Sequence, residues 1–547
     1  MKRLFLIFLF LLIACPLWGA TVYVSNEADN GFQIGNDSNS YAQSQSKSTP
    51  WLTLTKAVTS CANGDTIVLN DGTYVEAGEI TPSKTSLTIT PYSDYGATIQ
   101  AGGVNSIFTA NNNKIITIGK IIFDGQNNHT IGFLTYESGH NITINGTRFI
   151  NYKASGVYAS NSGAQSTLTL NNIDCSTSYI GAIDSLYLAG NLTVIINGGT
   201  ILNSASSGNN VITGVRTSAS SARTLNITIN DLYITNTASG TNASSMYGLL
   251  VAGASTLSVY GGAITFTSGW KESVYQYGIK IGNDDKFITS LDISNVDINM
   301  NDPHTSWLIS RGIFLGESTS GSYNNSINGI KIYDNDISNA GMGIFSGYLT
   351  AGQVYKNNIT STTAPLVSGG GNLNWLWNHN TINGLVGSDH TGLLSAGSVN
   401  DKWYNNTISV GNDANDGWAM LSEYGATGAD FKNNIVYSSS GYGNKMYAEV
   451  GNNGSDATFS NNLYYNSDHA TPFKYGATTY ANFALWQAAG KDVGALNVDP
   501  KFISNGINFH LQSDSPARGA GVNVGLSRTN PPDIGAEPYL QYVPWKH

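Results

Sequence analysis

Short stretches in which apolar and polar residues alternate recur along most of this chain of 547 residues. The segment 329–345, GIKIYDNDISNAGMGIF, shows the unit: two such stretches, an Asn at the bend between them, and a Gly before the second. A period of two predicts strands with one buried face, and each stretch is too short to be an amphipathic helix. The pattern therefore predicts a chain built mainly of short, half-buried β-strands.

The bend asparagine recurs along the chain and aligns the copies. Its positions are Asn172, Asn295, Asn335, Asn358, Asn380, Asn406, Asn434 and Asn462. Their later spacing, about 22 to 40 residues and near 28 in the last copies, lies in the range of solenoid repeats. One coil of two or three strands cannot bury its apolar face alone, whereas stacked coils share a core, and stacked Asn side chains can hydrogen-bond from coil to coil. A β-sandwich or a propeller is the alternative, but turns in those folds do not keep one Asn in register.

A second column of Gly followed by apolar residues accompanies the Asn column, as in Gly278-Ile-Lys-Ile, Gly312-Ile-Phe-Leu and Gly343-Ile-Phe-Ser. Together these residues resemble the right-handed parallel β-helix family, the group that includes pectate-lyase-like secreted proteins. The resemblance covers roughly residues 21–540. It implies an all-β fold, a right-handed parallel β-helix solenoid with an N-terminal helix cap and an irregular C-terminal cap.

Composition shifts divide the chain into four predicted segments. Residues 1–20 form a signal peptide, and residues 21–86 an N-terminal strand, a loop and a capping helix with the first coil. Apolar residues at helical spacing between Leu54 and Cys61 predict that helix. The parallel β-helix follows over residues 87–468, and a C-terminal capping region over 469–547, where the rhythm of the repeat breaks.

The first residues predict export from a bacterial cell. Lys2 and Arg3 precede an apolar run that ends at Ala14 and is too short to span a bilayer. Cleavage after Ala20 is one possibility; the other is lipidation at Cys15, because Leu-Ile-Ala-Cys resembles a bacterial lipobox. We therefore expect a secreted or cell-surface protein, with a lipid anchor open and no membrane span.

The charge of the chain bears on the class of its partner, and its cysteines bear on whether disulfides support the fold. Charged residues make up only 11% of the chain and the net charge is −10, which argues against binding to a nucleic-acid backbone. Beyond the signal, only Cys61 and Cys175 remain, and their wide separation predicts two buried thiols without a disulfide framework. We expect a monomer whose partner is a polysaccharide.

Candidate chemistry follows from the resemblance, which implies a site on the outward face of one strand column. Lys280 is predicted to point outward between two isoleucines. Arg216 is predicted to point out of the same column two coils earlier, about 10 Å from Lys280 along the stack. The turn after Lys280 contains Asn283 and Asp284, and Glu317 lies close to register one coil on. Oxygen ligands on adjacent coils suit Ca²⁺, so Asn283, Asp284 and Glu317 are the candidate metal ligands.

Further residues extend this candidate site. Trp270, Tyr275 and Tyr277 are predicted to form a substrate-binding wall for sugar rings, together with Arg216. His304 and Arg311 join Lys280 as predicted catalytic residues. A polysaccharide lyase removes the proton α to a uronate carboxylate, which requires a base and a cation that offsets the carboxylate charge. The constellation therefore favours a lyase acting on an acidic, uronic-acid glycan by β-elimination.

Other functions remain open at this stage. Lys280, Asp284 and Glu317 are equally consistent with ordinary solvated charges, which would make the protein a non-catalytic surface or carbohydrate-binding solenoid. Asp302-Pro303-His304 resembles the Asp-Pro-His core of mannuronan epimerases, but Thr305 stands where Glu is expected. Asp284 and Asp285 resemble the paired aspartates of polygalacturonases, yet no Gly-His-Gly or Arg-Ile-Lys sequence accompanies them. A glycoside hydrolase or an epimerase of the same fold is therefore a further alternative.

Overall fold

The computed structural model consists almost entirely of β-strands, 58% of it strand and 4% helix. It divides into two compact units, residues 1–176 and residues 177–547, which are described separately. The described residues are 19–536 apart from 103–104, 129, 179–181, 206–209, 220–222, 239–242, 269–274, 283–288, 303–308, 317–328, 386–389, 411–416, 439–444, 452, 454, 466–471, 506 and 527–530.

In the first unit, parallel strands pair from coil to coil in three columns. The first column contains Thr21–Val24, Asp65–Leu69, Ser86–Pro91, Ile115–Gly119, Asn141–Asn145 and part of the long strand Ser155–Ser178. The second contains Gly72–Glu76, Ala97–Ala101, Ile122–Asp124, Arg148–Ile150 and another part of Ser155–Ser178. The third contains Ser106–Asn111, Ile131–Tyr136 and the start of Ser155–Ser178.

The second unit repeats this arrangement over more coils, beginning with Ile183–Ala205, which contributes to all three columns. The first column continues with Leu225–Asn230, Thr256–Tyr260, Ser290–Ser294, Ile330–Tyr333, Gly352–Tyr355, Leu376–Asn378, Lys402–Tyr404, Ala429–Lys432 and Ala457–Ser460. The second continues with Tyr233–Ala238, Ala263–Ser268, Asp297–Asn299, Asp336–Ser338, Asn358–Thr362, Thr381–Leu385, Thr407–Val410, Ile435–Ser438, Leu463–Tyr465 and Leu496–Asn497.

The third column of the second unit carries the candidate site. It continues with Asn210–Ser218, Ala243–Ala252, Tyr275–Ile281, Ser310–Leu315, Met342–Ser346, Ala364–Ser368, His390–Ala396, Gly417–Glu423, Lys445–Val450 and Phe473–Tyr475. Thr478–Tyr480 pairs antiparallel with its last strand. Each unit is thus a parallel β-helix, and the all-β solenoid expected from the sequence is confirmed.

Inward positions of neighbouring coils stack like on like and form the core. In the first column of the second unit, the rings of Trp377, Trp403, Phe431 and Phe459 stack at successive centroid distances of 4.9, 5.9 and 5.0 Å. Burying one such ring stabilises the fold by roughly 1.5–3 kcal/mol. The repeat therefore works because each coil supplies an apolar residue at the height where its neighbour does.

An asparagine ladder fixes the bend between the first and second columns. Each side-chain amide donates to the Oδ1 atom of the next residue in the series Asn335, Asn357, Asn380, Asn406, Asn434 and Asn462, at 2.9–3.1 Å. The ladder ends at Asp492, which accepts from the Asn462 amide at 3.0 Å. The residue before each ladder member has a left-handed φ between 52° and 57°.

The sequence alignment of this column is wrong by one residue at three places. Asn172 and Asn295 occupy the left-handed position, with φ values of 49° and 56°, instead of the ladder position that follows it. Asn358 lies one residue after the ladder member Asn357 and is exposed. Both bend positions tolerate Asn, one for its backbone freedom and one for its amide, so the sequence alone does not separate them.

At the N-terminal end, the helix Leu54–Ser60 is present as predicted and buries Leu54, Ala57 and Val58. Its first amide groups are satisfied by side chains, because Glu76 accepts from the amides of Leu54 and Thr55 at 2.7 and 3.1 Å. Thr53 caps the helix by accepting from the amide of Lys56. A short 3₁₀ turn, Gln43–Gln45, precedes it.

The C-terminal region covers two surfaces of the second unit. The helix Phe483–Ala488 places Trp486 against Phe459 and Phe473, at centroid distances of 5.6 and 5.1 Å. An antiparallel pair, Phe502–Ser504 with Asn508–Leu511, packs on the outward side of the second column. The irregular end predicted from the sequence is therefore both an end cap and a lateral cover.

Two predicted absences concern the part of the chain that is described. Cys61 and Cys175 are both buried and free, as expected from their spacing. No helix among the described residues is long and apolar enough to cross a membrane. Cys15 and the rest of the predicted signal, up to residue 18, lie outside the described residues.

Candidate functional site

The outward face of the third column in the second unit brings several predicted site residues together. The pairing places Arg216, Leu250, Lys280 and Phe314 in one row across four coils. Arg216 and Lys280 are therefore two coils apart, as the sequence spacing implies. The alternation of inward and outward residues made this row predictable, because Ile279 and Ile281 are buried on either side of Lys280.

A neighbouring row on the same face adds aromatic rings and a second cation. Tyr247, Tyr277 and Arg311 are register partners in consecutive coils. The rings of Tyr247 and Tyr277 stack at a centroid distance of 5.3 Å and an angle of 8°. Phe314 meets Tyr277 edge-on at 5.6 Å. Tyr247 and Phe314 were not predicted as site residues, because both stand at outward positions where polar residues are expected.

Arg311 contacts a tyrosine hydroxyl and a phenylalanine ring on this face. Its Nη1 atom donates to the Tyr277 hydroxyl at 3.2 Å, and its guanidinium carbon lies 4.4 Å from the Phe314 ring centroid. The Nε atom is buried and has no hydrogen-bond acceptor among the described residues. Burial lowers the pKa of Arg311, but a guanidinium keeps its charge under physiological conditions. One hydrogen-bonding edge of a half-buried cation is therefore not satisfied by the described chain.

Lys280 contacts the same ring as Arg311. Its Nζ atom is 4.9 Å from the centroid of Tyr277 and 5.8 Å from that of Tyr247. Cation–π contacts of this kind hold an ammonium group over an aromatic face. Lys280 and Arg311 thus both contact Tyr277, and these three side chains form the Tyr277 cluster.

Tyr277 itself is nearly inaccessible, with 7% of its surface exposed. Burial raises the pKa of its hydroxyl, and the positive charge of Arg311 opposes that rise. Tyr275, two residues earlier on the same strand, is 50% exposed. Two residues of the predicted wall, Tyr275 and Tyr277, thus lie on one strand, and Tyr247 is the register partner of Tyr277 on the adjacent coil.

Arg216 is engaged separately from the cluster. Its Nη1 atom pairs with Asp184 at 3.3 Å, and its guanidinium lies 5.9 Å from the ring of Tyr187. Burial raises the pKa of the Asp184 carboxyl, and Arg216 opposes that rise. The Nε atom of Arg216 is buried without an acceptor among the described residues, as that of Arg311 is, but the charge of Arg216 already has an internal partner in Asp184. Asp184 was missed because it lies in the first described strand of the unit, outside the aligned copies.

Five of the predicted site residues lie outside the described residues: Trp270, Asn283, Asp284, His304 and Glu317. Asp302, two residues before His304 in the sequence, is buried and accepts from the Ser310 hydroxyl at 2.5 Å. Among the described residues, no group of three or more His, Cys, Asp or Glu side chains is placed to hold a metal ion. The predicted Ca²⁺ site thus falls on residues that the structure does not describe.

Another charged group lies further along the same face. Glu449 accepts from the indole nitrogen of Trp418 and pairs with Lys474 at 2.6 Å. Burial raises the pKa of Glu423 nearby, and the charge of Glu449 adds to the rise. Both oxygens of Glu449 have donors, so this cluster is explained by its own internal contacts.

Comparisons with known proteins give distant structural neighbours. No protein-family model and no curated protein sequence matches the chain. A PL6 alginate lyase in complex with a trisaccharide is similar at a TM-score of 0.32 and 12% identity, over 95% of this chain and 96% of that one. The alginate lyase AlyF-OU02 in complex with G6 gives 0.32 and 12%, over 89% and 93%. The A-module of the Azotobacter vinelandii mannuronan C-5 epimerase AlgE6 gives 0.26 and 11%, over 80% and 91%. At these values the likeness carries no argument about function.

Proposed function

We propose that this protein is a polysaccharide lyase that acts on a uronic-acid glycan at the Tyr277 cluster. The observation that carries the proposal is Arg311, whose buried Nε atom has no acceptor among the described residues. A buried, incompletely paired cation costs stability, and a carboxylate ligand would satisfy it. The uronate carboxylate is the group of an acidic glycan that fits this position.

The geometry supports a division of labour between the two cations. A guanidinium binds a carboxylate through two parallel hydrogen bonds, and Arg311 retains donors beyond the one given to Tyr277. Neutralising the carboxylate makes the neighbouring C5 proton more acidic. Lys280, in its unprotonated form, then accepts that proton. Electrons from the C5–H bond form the C4–C5 double bond, and the bond from C4 to the glycosidic oxygen breaks.

Aromatic residues around the cluster support sugar binding. Tyr275 is half exposed beside the cluster, and Tyr247 is partly exposed on the adjacent coil. Aromatic rings pack against the apolar faces of sugar rings while polar groups fix orientation. We propose that Tyr275 and Tyr247 contact the sugars next to the bond that is cleaved, with Trp270 as a further contact.

Other elements of the proposal rest on the sequence. His304 follows Asp302 by two residues and is proposed as a further acid or base. Ca²⁺ bound by Asn283, Asp284 and Glu317 would supply additional positive charge for the carboxylate. The predicted signal leads us to propose secretion or attachment to the cell surface, with Cys15 as a possible lipid anchor.

A panel of purified glycans tests the proposal. The protein is incubated with polymannuronate, polyguluronate, polygalacturonate, a glucuronate-containing glycan and a neutral glucan. We expect ultraviolet absorbance from the C4–C5 double bond with one or more of the acidic glycans and none with the glucan. Binding to an acidic glycan without new product would instead favour the non-catalytic carbohydrate-binding solenoid. The absence of both binding and product would refute the proposal.

A further inference from the structure

We propose that Tyr277 is a catalytic residue, whose hydroxyl protonates the glycosidic oxygen as it leaves C4 of the uronate. This inference rests on the proposed lyase function and assigns a specific role within it. Arg311 donates to the Tyr277 oxygen at 3.2 Å, so the phenolic hydrogen is not used in that contact.

The hydroxyl has no other hydrogen bond among the described residues. A phenol both donates and accepts, and here only its accepting side is occupied. The remaining hydrogen therefore has no acceptor among the described residues, and a bound ligand would have to supply one. A glycosidic oxygen that is losing its bond to carbon is such an acceptor, because it gains negative charge as the bond breaks.

The surroundings keep the hydroxyl in its donor form and stabilise the anion it leaves. Burial raises the pKa of Tyr277, so the phenol remains protonated in the resting protein. Arg311 opposes the rise and lies next to the oxygen on which negative charge develops. A fixed cation at that place stabilises a transition state in which the proton is being transferred.

The ring is held in position before any substrate binds. Tyr247 stacks on it at 5.3 Å, Phe314 meets its edge at 5.6 Å, and Arg311 fixes the oxygen. A catalytic group held by packing on a strand keeps its geometry better than a group on a loop. The Tyr277 hydroxyl is thus preorganised, whereas the ammonium of Lys280 ends a flexible chain.

The proton and electron count of the proposed step balances. Lys280 takes the C5 proton and becomes an ammonium ion. The electron pair forms the C4–C5 double bond, the C4–O bond breaks, and the leaving oxygen takes the proton from Tyr277. The resulting phenolate is paired with Arg311 and is reprotonated by the Lys280 ammonium through solvent, which restores both groups.

Tyr277→Phe tests this role, because the variant removes only the hydroxyl and keeps the packed ring. On a natural acidic glycan we expect kcat to fall by about 100- to 10,000-fold, the usual contribution of a general acid, with KM little changed. On a uronate that carries a nitrophenol at C4, the leaving group needs no proton. With that substrate we expect the variant to approach the rate of the wild type.

Tyr355→Phe is the matched control, because Tyr355 also stacks on a tyrosine, at 4.9 Å from Tyr333, but in the first column. It should leave both rates unchanged. If Tyr277→Phe keeps the wild-type kcat, or loses the same factor on both substrates, the acid role is refuted while the lyase function stands. Partial unfolding would also lower both rates equally, so the ratio of the two rates decides. A wild type inactive on every glycan removes the lyase function and the role of Tyr277 together.

Discussion

The side-chain amide of Asn357 donates to the Oδ1 atom of Asn380 in the next coil, at 2.9 Å. The same Oδ1 atom accepts from the backbone amide of Asn357 at 3.1 Å. Asn357 therefore donates both its backbone amide and its side-chain amide to the asparagine of the next coil. Because these groups are buried, their loss leaves donors and acceptors without partners.

Asn357→Ala should accordingly lower the free energy of unfolding by about 2–4 kcal/mol, since several buried hydrogen bonds are lost at once. Its neighbour Asn358 is exposed, and its side-chain amide donates to Asp336 at 2.9 Å. Asn358→Ala should cost less than about 1 kcal/mol. Urea unfolding of the two variants compares them directly. Equal losses would contradict the ladder register that the structure shows.

Two buried carboxyls link stability to pH. Burial raises the pKa of Asp401 to about 6, and likewise that of Asp492, which ends the asparagine ladder. The folded protein thus binds these protons more tightly than the unfolded chain, where the Asp value is 3.8. Each carboxyl therefore contributes its whole stabilisation of the fold below pH 3.8. That stabilisation is lost as the pH rises through about 6.

Asp401→Asn tests this linkage, because the variant has no proton to lose. Relative to the wild type, its free energy of unfolding should increase by up to about 3 kcal/mol between pH 4 and pH 7. Asp514→Asn is the control: Lys501 lowers the pKa of that exposed carboxyl, so the sign is opposite. A difference that does not change with pH would show that Asp401 titrates normally.

The cations of the third column should differ in importance. Arg311→Gln and Lys280→Gln should each reduce kcat/KM on an acidic glycan by about 100-fold or more, because each loses a contact to the reacting sugar. Arg216→Gln should cost less than about 10-fold, since Asp184 already pairs with Arg216.

Lys331→Gln serves as the control for these variants, because Lys331 is an exposed lysine in the first column. Initial rates of absorbance increase, measured at matched protein concentrations, give the order of the four variants. If the Arg216 variant were as inactive as the Arg311 variant, the site could not be centred on the Tyr277 cluster and would have to include Arg216, two coils from Lys280.

Calcium dependence checks the metal proposal. Chelation should abolish activity and added Ca²⁺ should restore it, while Asp284→Asn or Glu317→Gln should raise the Ca²⁺ concentration needed for half activity. Asp336→Asn, at an exposed acid of the second column, should not change it. Full activity of the wild type after chelation would refute a Ca²⁺ requirement.

The sequence predicted the fold more completely than it predicted the candidate site. A period of two and recurring bend residues sufficed for the parallel β-helix, because stacking forces equivalent positions into register. The same logic placed Lys280 and Arg216 in one row. It slipped at Asn172, Asn295 and Asn358, where two adjacent bend positions both accept asparagine.

Contacts between rows were beyond this reasoning. Nothing in the pattern showed that Arg311 donates to Tyr277 or that Phe314 is buried on an outward face, because such contacts depend on side-chain direction. Asp184 was hidden for a similar reason: its strand, Ile183–Ala205, lies between the copies aligned at Asn172 and Asn295 and belongs to neither. The partner of Arg216 therefore emerged only from the structure.

Analysis of the products made from a polyuronate tests the central claim most directly, by mass spectrometry of the oligosaccharides released by the wild type and by Arg311→Gln. The account predicts wild-type products with an unsaturated sugar at the non-reducing end and at least about 100-fold less product from the variant. Saturated products, or equal amounts of unsaturated product from both proteins, would contradict it.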